Sequence, residues 1–194
     1  MKNLFILIFF ISCSAFSQDL KQVDSLTFEN TGYLNGFLVK ELEGQKASDI
    51  YAKVKKWSQY NIRRASWAVH SDVENEYIAF NVRDVDVIFS HRAFGKDLYP
   101  WNMNLNIEIR IKDNKVRLDV ARIDFKCNKD NCDDLQIASS RGLLVTSIYN
   151  RKGKVRNKYY VKIKSDAETK LNSFCKELLA NLDSNSVDYK KGDW

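Results

Sequence analysis

Residues 101–120 read Trp-Asn-Met-Asn-Leu-Asn-Ile-Glu-Ile-Arg-Ile-Lys-Asp-Asn-Lys-Val-Arg-Leu-Asp-Val. Trp101, Met103, Leu105, Ile107, Ile109 and Ile111 alternate with Asn102, Asn104, Asn106, Glu108, Arg110 and Lys112. A period of two sends successive side chains to opposite faces, so the stretch reads as a strand with one buried and one wet face. Asp113-Asn114 interrupts the alternation. Both residues tolerate positive φ, which marks a two-residue hairpin turn. That turn sets a register: Ile111 opposite Val116, Ile109 opposite Leu118, Ile107 opposite Val120. Every pair on that face is apolar, so turn chemistry and hydrophobic pattern agree.

Upstream, Phe37-Leu38-Val39-Lys40-Glu41-Leu42 reads as a first strand ended by Gly44. Over residues 47–61, Ala47, Ile50, Val54, Trp57 and Asn61 recur at helical spacing, with Tyr51 beside them and Lys46, Lys53, Lys55 and Lys56 off the stripe. Trp67 to His70 is a short strand, Val73 to Glu76 a turn, and Tyr77 to Val82 a strand with Ile78, Phe80 and Val82 on one face. Beyond Arg83-Asp84 the apolar parity shifts to Val85, Val87 and Phe89, which predicts a bulge or a break.

Downstream of Phe125 the periodicity fades, and residues 134–149 are open between helix and strand. Asn150-Arg151-Lys152-Gly153 is a turn. A last helix is expected from Ser165, where Ser165 and Glu168 have capping-box spacing. Its apolar stripe is Leu171, Phe174, Cys175, Leu178, Leu179 and Leu182. A sheet with one apolar face needs cover, and two amphipathic helices supply it. The expected fold is α+β: a single antiparallel sheet packed on one face by two helices, in the order β-α-β-β-β-β-α.

The N-terminus is patterned for export. Met1-Lys2-Asn3 is a short positive head, Leu4 to Ile11 an unbroken apolar run, and Ala15-Phe16-Ser17 places small residues at both positions that specify cleavage. The run is shorter than the roughly 20 apolar residues that span a bilayer. Residues 1–17 read as a signal peptide cleaved after Ser17, 18–32 as an exposed lead-in, 33–183 as one domain and 184–194 as a polar tail. The alternative processing is lipidation at Cys13, the one route by which the sequence suggests a membrane. The formal charge of +6 falls to +5 once Lys2 is removed, which suits solubility and is weak support for an anionic partner.

Cys127, Cys132 and Cys175 survive cleavage. Cys127 and Cys132 are a candidate disulfide across Asn128-Lys129-Asp130-Asn131 in an oxidising compartment. Cys175 lies among leucines and reads as a buried thiol. Zinc is disfavoured, because the cysteine pair lacks a second pair and the two histidines, His70 and His91, are distant in sequence. Nothing points to a cofactor.

Two carboxylate–histidine groupings could carry chemistry. His70, Asp72, Glu74 and Glu76 share strand parity, and the plainer account is a solvated strand end. Asp84, Asp86, His91 and Arg92 could move protons, against which stands a bulge with a surface ion pair. Trp57, Trp67, Phe80, Phe89, Trp101, Phe125 and Phe174 form either a pocket or a packed aromatic core. Arg151, Lys152, Lys154, Arg156 and Lys158, continued by Lys162 and Lys164 and interrupted by Tyr159 and Tyr160, contain no acidic residue. They are a candidate contact for a polyanion such as a surface glycan, or a sheet edge guarded by lysines.

The strand before Glu43-Gly44, the helix motif Ile50-Tyr51 with Trp57, the hairpin Ile107 to Arg117 and the segment Tyr149 to Arg156 together resemble an exported Bacteroidota family of unknown function with a TATA-box-binding-protein-like (TBP-like) fold. The main stretch of the resemblance is Gly36 to Cys127, and Tyr149 to Arg156 is similar to the family's segment before its last helix. It implies the same sheet with two helices and no assigned chemistry. It does not imply DNA binding, since sites and not folds carry function, and nucleic acid is not an expected partner of an exported protein. The functional expectation is a non-enzymatic envelope protein that binds a partner or ligand through the sheet or the basic loop. The alternative is a hydrolase-type enzyme with a site near His70 or His91.

Overall fold

The structure is a computed structural model. It describes residues 21–31, 33–61, 69–85, 87–91, 98–127, 134–136 and 146–183. In chain order the elements are β1 (Lys21–Gln22), β2 (Gly36–Glu41), α1 (Ala47–Asn61), β3 (Val69–Val73), β4 (Tyr77–Val82), β5 (Val87–His91), β6 (Leu98–Lys112), β7 (Lys115–Cys127), β8 (Leu135–Gln136), β9 (Thr146–Ser147) and α2 (Lys158–Asp183). The sheet runs β1-β2-β7-β6-β4-β3, with β5 beside β6 and β8 linking β7 to β9. The pairing is antiparallel except for β1 with β2 and β8 with β9. The expected α+β sheet with two helices is what the chain forms.

The β6–β7 hairpin has the expected register: Ile111 faces Val116, Ile109 faces Leu118 and Ile107 faces Val120. Only Asn114 uses the left-handed region, at φ 64°, so the turn needs one tolerant residue where two were expected. The turn is also tied to its surroundings. Asp113 Oδ1 accepts the Ala47 N–H at 2.8 Å, and Asn114 Oδ1 accepts the Gly44 N–H at 2.8 Å. A residue on the hairpin therefore satisfies one of the free donors at the start of α1.

Between Asn106 and Ile107 the register slips, and Asn106 faces Arg122. Ala121 is the extra residue of a β-bulge. It restores apolar pairing below the slip, where Leu105 faces Ile123 and Met103 faces Phe125. The signal for this bulge is present in the sequence: β7 is apolar at 116, 118 and 120, then at 123 and 125. The break expected at Arg83-Asp84 is there. β4 ends at Val82, β5 starts at Val87, and both pair with β6. Asp84 sits at φ 53°.

Both helices cover the sheet face that carries Phe80, Leu105, Ile107 and Ile109, all of them buried. Ile50, Val54 and Trp57 of α1 are buried, as are Ile163, Ala167, Leu171, Cys175, Leu178, Leu179 and Leu182 of α2. The Trp57 ring lies 6.1 Å from Phe80 and 5.9 Å from Phe174, and Trp101 and Phe125 are buried in the same cluster. These aromatic residues form a packed core. Trp67 lies outside the described residues.

Two expectations need correction. α2 begins at Lys158 and not at Ser165. Asn157 is its cap: Asn157 Oδ1 accepts the N–H groups of Tyr159 at 3.0 Å and Tyr160 at 3.3 Å. Ser165 lies inside the helix. The lead-in 18–32 is not exposed along its length, because Leu26 and Phe28 join the core. β1 also reaches β2 closely. A β-carbon on Gly36 would lie 2.0 Å from the Lys21 carbonyl oxygen, so only glycine admits this approach.

Candidate binding surface

The register of the hairpin places its polar residues on the face turned away from the helices. Across β7 and β6, Lys115 faces Lys112, Arg117 faces Arg110, and Asp119 faces Glu108. The rows extend outward, with Val39 beside Arg117 and Tyr77 beside Arg110. Beyond the bulge the row residues become Arg122 with Asn106, Asp124 with Asn104, and Lys126 with Asn102. Like charges directly opposite one another weaken a sheet. Here they occupy three consecutive rows of that face.

The charges are relieved along each strand. Arg117 Nε and Nη2 donate to Asp119 at 2.8 and 2.6 Å, and Arg110 stands 3.7 Å from Glu108. The Arg117 guanidinium also lies 3.6 Å over the Phe37 ring, a cation–π contact that fixes its plane. Asp119 is 8% exposed, so this pair is held between its neighbours. Burial pushes the Tyr77 hydroxyl above its ordinary range, and the nearby Glu108 charge adds to it.

The other end of the face is an amide ladder. Asn106 Nδ2 donates to Asn81 Oδ1 at 2.9 Å and lies 3.3 Å from His70 Nε2. Asn102 Nδ2 donates to Asp84 Oδ1 at 2.6 Å, and Asn104 Oδ1 accepts the Asp84 N–H at 2.9 Å. These contacts hold the β4–β5 break. Arg122 pairs with Asp124 along β7 at 2.9 Å. Lys126 pairs with Asp134 at 2.6 Å, and the Lys126 ammonium holds the Asp134 carboxyl below its usual range.

The first candidate grouping does not assemble. A slip between Val69 and Ser71 leaves His70 on the open face with Asn106. Asp72 is on the helix side, 3.1 Å from the Tyr51 hydroxyl and 3.2 Å from Lys55 Nζ. Hydrogen bonds from Lys55, then Tyr51, hold its carboxyl below the ordinary range. Glu74 and Glu76 are exposed in the adjoining turn. In the second grouping Asp84 supports the strand break and His91 ends β5, while Asp86 and Arg92 lie outside the described residues. Among the described residues, no three His, Cys, Asp or Glu side chains gather as metal ligands.

Cys127 is disulfide-bonded, and its expected partner Cys132 lies outside the described residues. Cys175 is a free, buried thiol, pushed up to about 12 by burial, so it stays protonated and unreactive in the folded chain. If Cys127 and Cys132 pair, alkylation of the denatured, unreduced mature protein will label one thiol. Three labelled thiols would exclude the bridge.

The basic residues sit at the start of α2. Arg151 and Lys152 are in the turn, Lys154 and Arg156 follow it, and Lys158 opens the helix; all five side chains are exposed.

A mostly antiparallel sheet with two helices on one face makes this a two-layer α+β domain. Residues 37–126 match the family described as a domain of unknown function, DUF4468, with TBP-like fold, which bears out the family and the fold of the resemblance read from the sequence. Over 87% of this chain and 92% of the other, the structure is similar to a DUF4468 family protein from Bacteroides ovatus, with 15% identity and a TM-score of 0.52. A TBP-like protein from Parabacteroides distasonis is similar over 75% of this chain and 87% of its own, with 11% identity and a TM-score of 0.47. No curated protein matches the sequence.

Proposed function

We propose that the chain is an exported, non-enzymatic binding protein of the cell envelope, released by cleavage after Ser17, which engages a partner through the open face of its sheet. The observation that supports this is the set of like-charge rows at the hairpin end. Lys112, Lys115, Arg110 and Arg117 share one patch of that face with Glu108, Asp119 and Glu41, so charges of both signs are fixed there in rows. Such pairing lowers the stability of the free domain and suits a partner that presents a complementary pattern of charges to the patch. The bidentate Arg117–Asp119 contact and the Phe37 ring keep the patch in one geometry, which limits the entropy lost on association.

Capture from the native envelope tests the reading. The Arg110→Glu/Lys112→Glu double variant alters two exposed side chains and should fold normally. A partner held by the wild-type mature chain is expected to be lost from this variant and kept by a His70→Ala/His91→Ala variant. Undiminished capture by the charge-reversed protein would exclude the open face. The hydrolase alternative requires the opposite pattern, with activity lost in the histidine variant alone. The His70 ring meets the Asn106 amide, a contact that fixes the ring without supplying a nucleophile.

A further inference from the structure

Arg151, Lys152, Lys154, Arg156, Lys158 and Lys162 are all exposed. None of the six has an ion-pair partner among the described residues. No acidic residue interrupts the sequence from Arg151 to Ser165. The backbone that carries them is well fixed. Asn150 Oδ1 accepts the N–H groups of Lys152 at 2.8 Å and Lys154 at 3.1 Å, Tyr149 bridges to Val155, and Gly153 turns at φ 72°. Lys158 and Lys162 occupy the first turns of α2, where the helix dipole favours anions and disfavours cations. The neighbouring hairpin carries Glu29, which cannot offset six cations.

Apolar side chains border this patch. Three large hydrophobic residues are exposed among those described: Tyr33, Val73 and Val161. Two of them are here. Val161, 52% exposed, is three residues on from Lys158, and Lys162 is four residues on, so both flank Lys158 on the outer side of the helix. Tyr33, 61% exposed, sits on the hairpin closed by the Phe28–Leu34 bridge. That hairpin touches the basic turn, since a β-carbon on Gly153 would lie 2.5 Å from Asn30 Nδ2.

The geometry points to peripheral docking on an anionic lipid surface, with the six cations over the headgroups and Val161 and Tyr33 at the acyl boundary. A soluble polyanion would reward the charges and leave both apolar side chains in water. A membrane interface rewards both, because basic side chains are drawn to anionic lipid while apolar and aromatic groups leave water. This route to a membrane needs no lipid on Cys13. It is independent of the open sheet face, whose residues take no part in it.

The test uses the mature chain and vesicles of phosphatidylcholine with and without phosphatidylglycerol. Binding is expected only to the vesicles with phosphatidylglycerol, and added salt should weaken it. Each neutralised cation should cost about fivefold in affinity, so Lys152→Gln/Lys154→Gln/Arg156→Gln should lose on the order of a hundredfold. Val161→Gln keeps every charge and suits a helix. It should weaken vesicle binding severalfold while leaving binding to soluble dextran sulfate unchanged. Equal binding to both vesicle types would overturn the proposal. So would binding to dextran sulfate without binding to vesicles, which would mark a soluble-polyanion site, and so would a Val161→Gln variant indistinguishable from wild type on vesicles.

Discussion

Phe80→Ala is expected to lower the unfolding free energy by about 3–5 kcal/mol. Phe80 is fully buried in β4, with Ile107 on one side in register and Val69 on the other. Its ring meets Trp57 of α1, and Trp57 in turn meets Phe174 of α2. One ring thus begins the contact that joins the sheet to both helices. Alanine removes the buried area and leaves a cavity walled by strands that cannot close on it. Domains of this kind have only about 5–15 kcal/mol of stability in total, so the variant should sit near its unfolding midpoint at modest urea. The measurement is urea unfolding followed by circular dichroism, where the midpoint should fall with the slope unchanged. Val73→Ala, at an exposed site, should stay within about 0.5 kcal/mol of wild type. A loss under about 1 kcal/mol for Phe80→Ala would mean that Trp57 moves into the space.

The second large effect is expected at Asn172. Its Oδ1 accepts the Leu26 N–H at 2.8 Å, and its Nδ2 donates to the Leu26 carbonyl at 2.8 Å. The amide plays the part of a neighbouring strand for a residue that has none, and Glu168 does the same for the Phe28 N–H at 2.7 Å. Leu26 is fully buried, so Asn172→Ala leaves one donor and one acceptor without partners. Each such group costs about 1–3 kcal/mol, which predicts a loss of about 2–6 kcal/mol for the pair. Asn172→Asp retains the acceptor and should lose less. Hydrogen exchange at the Leu26 amide is the specific readout: protection should fall in Asn172→Ala and largely survive in Asn172→Asp. If protection survives in both, residues 25–28 are held by burial and not by the clamp.

Much of the fold was legible because local rules and long-range packing agree in the β6–β7 hairpin and in α1. A two-residue turn and an apolar alternation leave a single register, and Ile50, Val54 and Trp57 leave a single buried face. Elsewhere local signals competed. Ser165 and Glu168 have the spacing of a capping box, yet Asn157 starts the helix, and its lysine-rich first turns violate the charge preference that would have marked it. Leu26 and Phe28 lie in a polar stretch, and their burial depends on side chains 140 or more positions away, which no local pattern reveals. The Ala121 bulge is legible in the change of apolar parity along β7.

The candidate surface divides in the same way. Once the turn fixes the register, Arg110 must oppose Arg117 and Glu108 must oppose Asp119, so the charged rows are implicit in the sequence. The contact between Arg117 and Phe37 is not, because it depends on which strand becomes the neighbour of β7. The basic run is plain to read, but its lack of partners and the placement of Val161 and Lys162 beside Lys158 on the outer side of the helix need the helix start that the sequence misplaced. His70 and Asp72 were expected on one face, and a slip of one residue in β3 separates them.

The turn at Asp113-Asn114 also bears on how this domain could be re-engineered. Asn-Gly is the pair most favoured in two-residue hairpins, so a designer working on the hairpin alone would install it. Here that exchange would delete the Asn114 amide that holds the Gly44 N–H and replace the Asp113 carboxylate that caps α1. A gain in turn propensity would be set against a weakened helix start and a loosened β2–α1 loop. The two residues form a joint between three elements, and consensus substitution at such a joint optimises one of them at the expense of the other two.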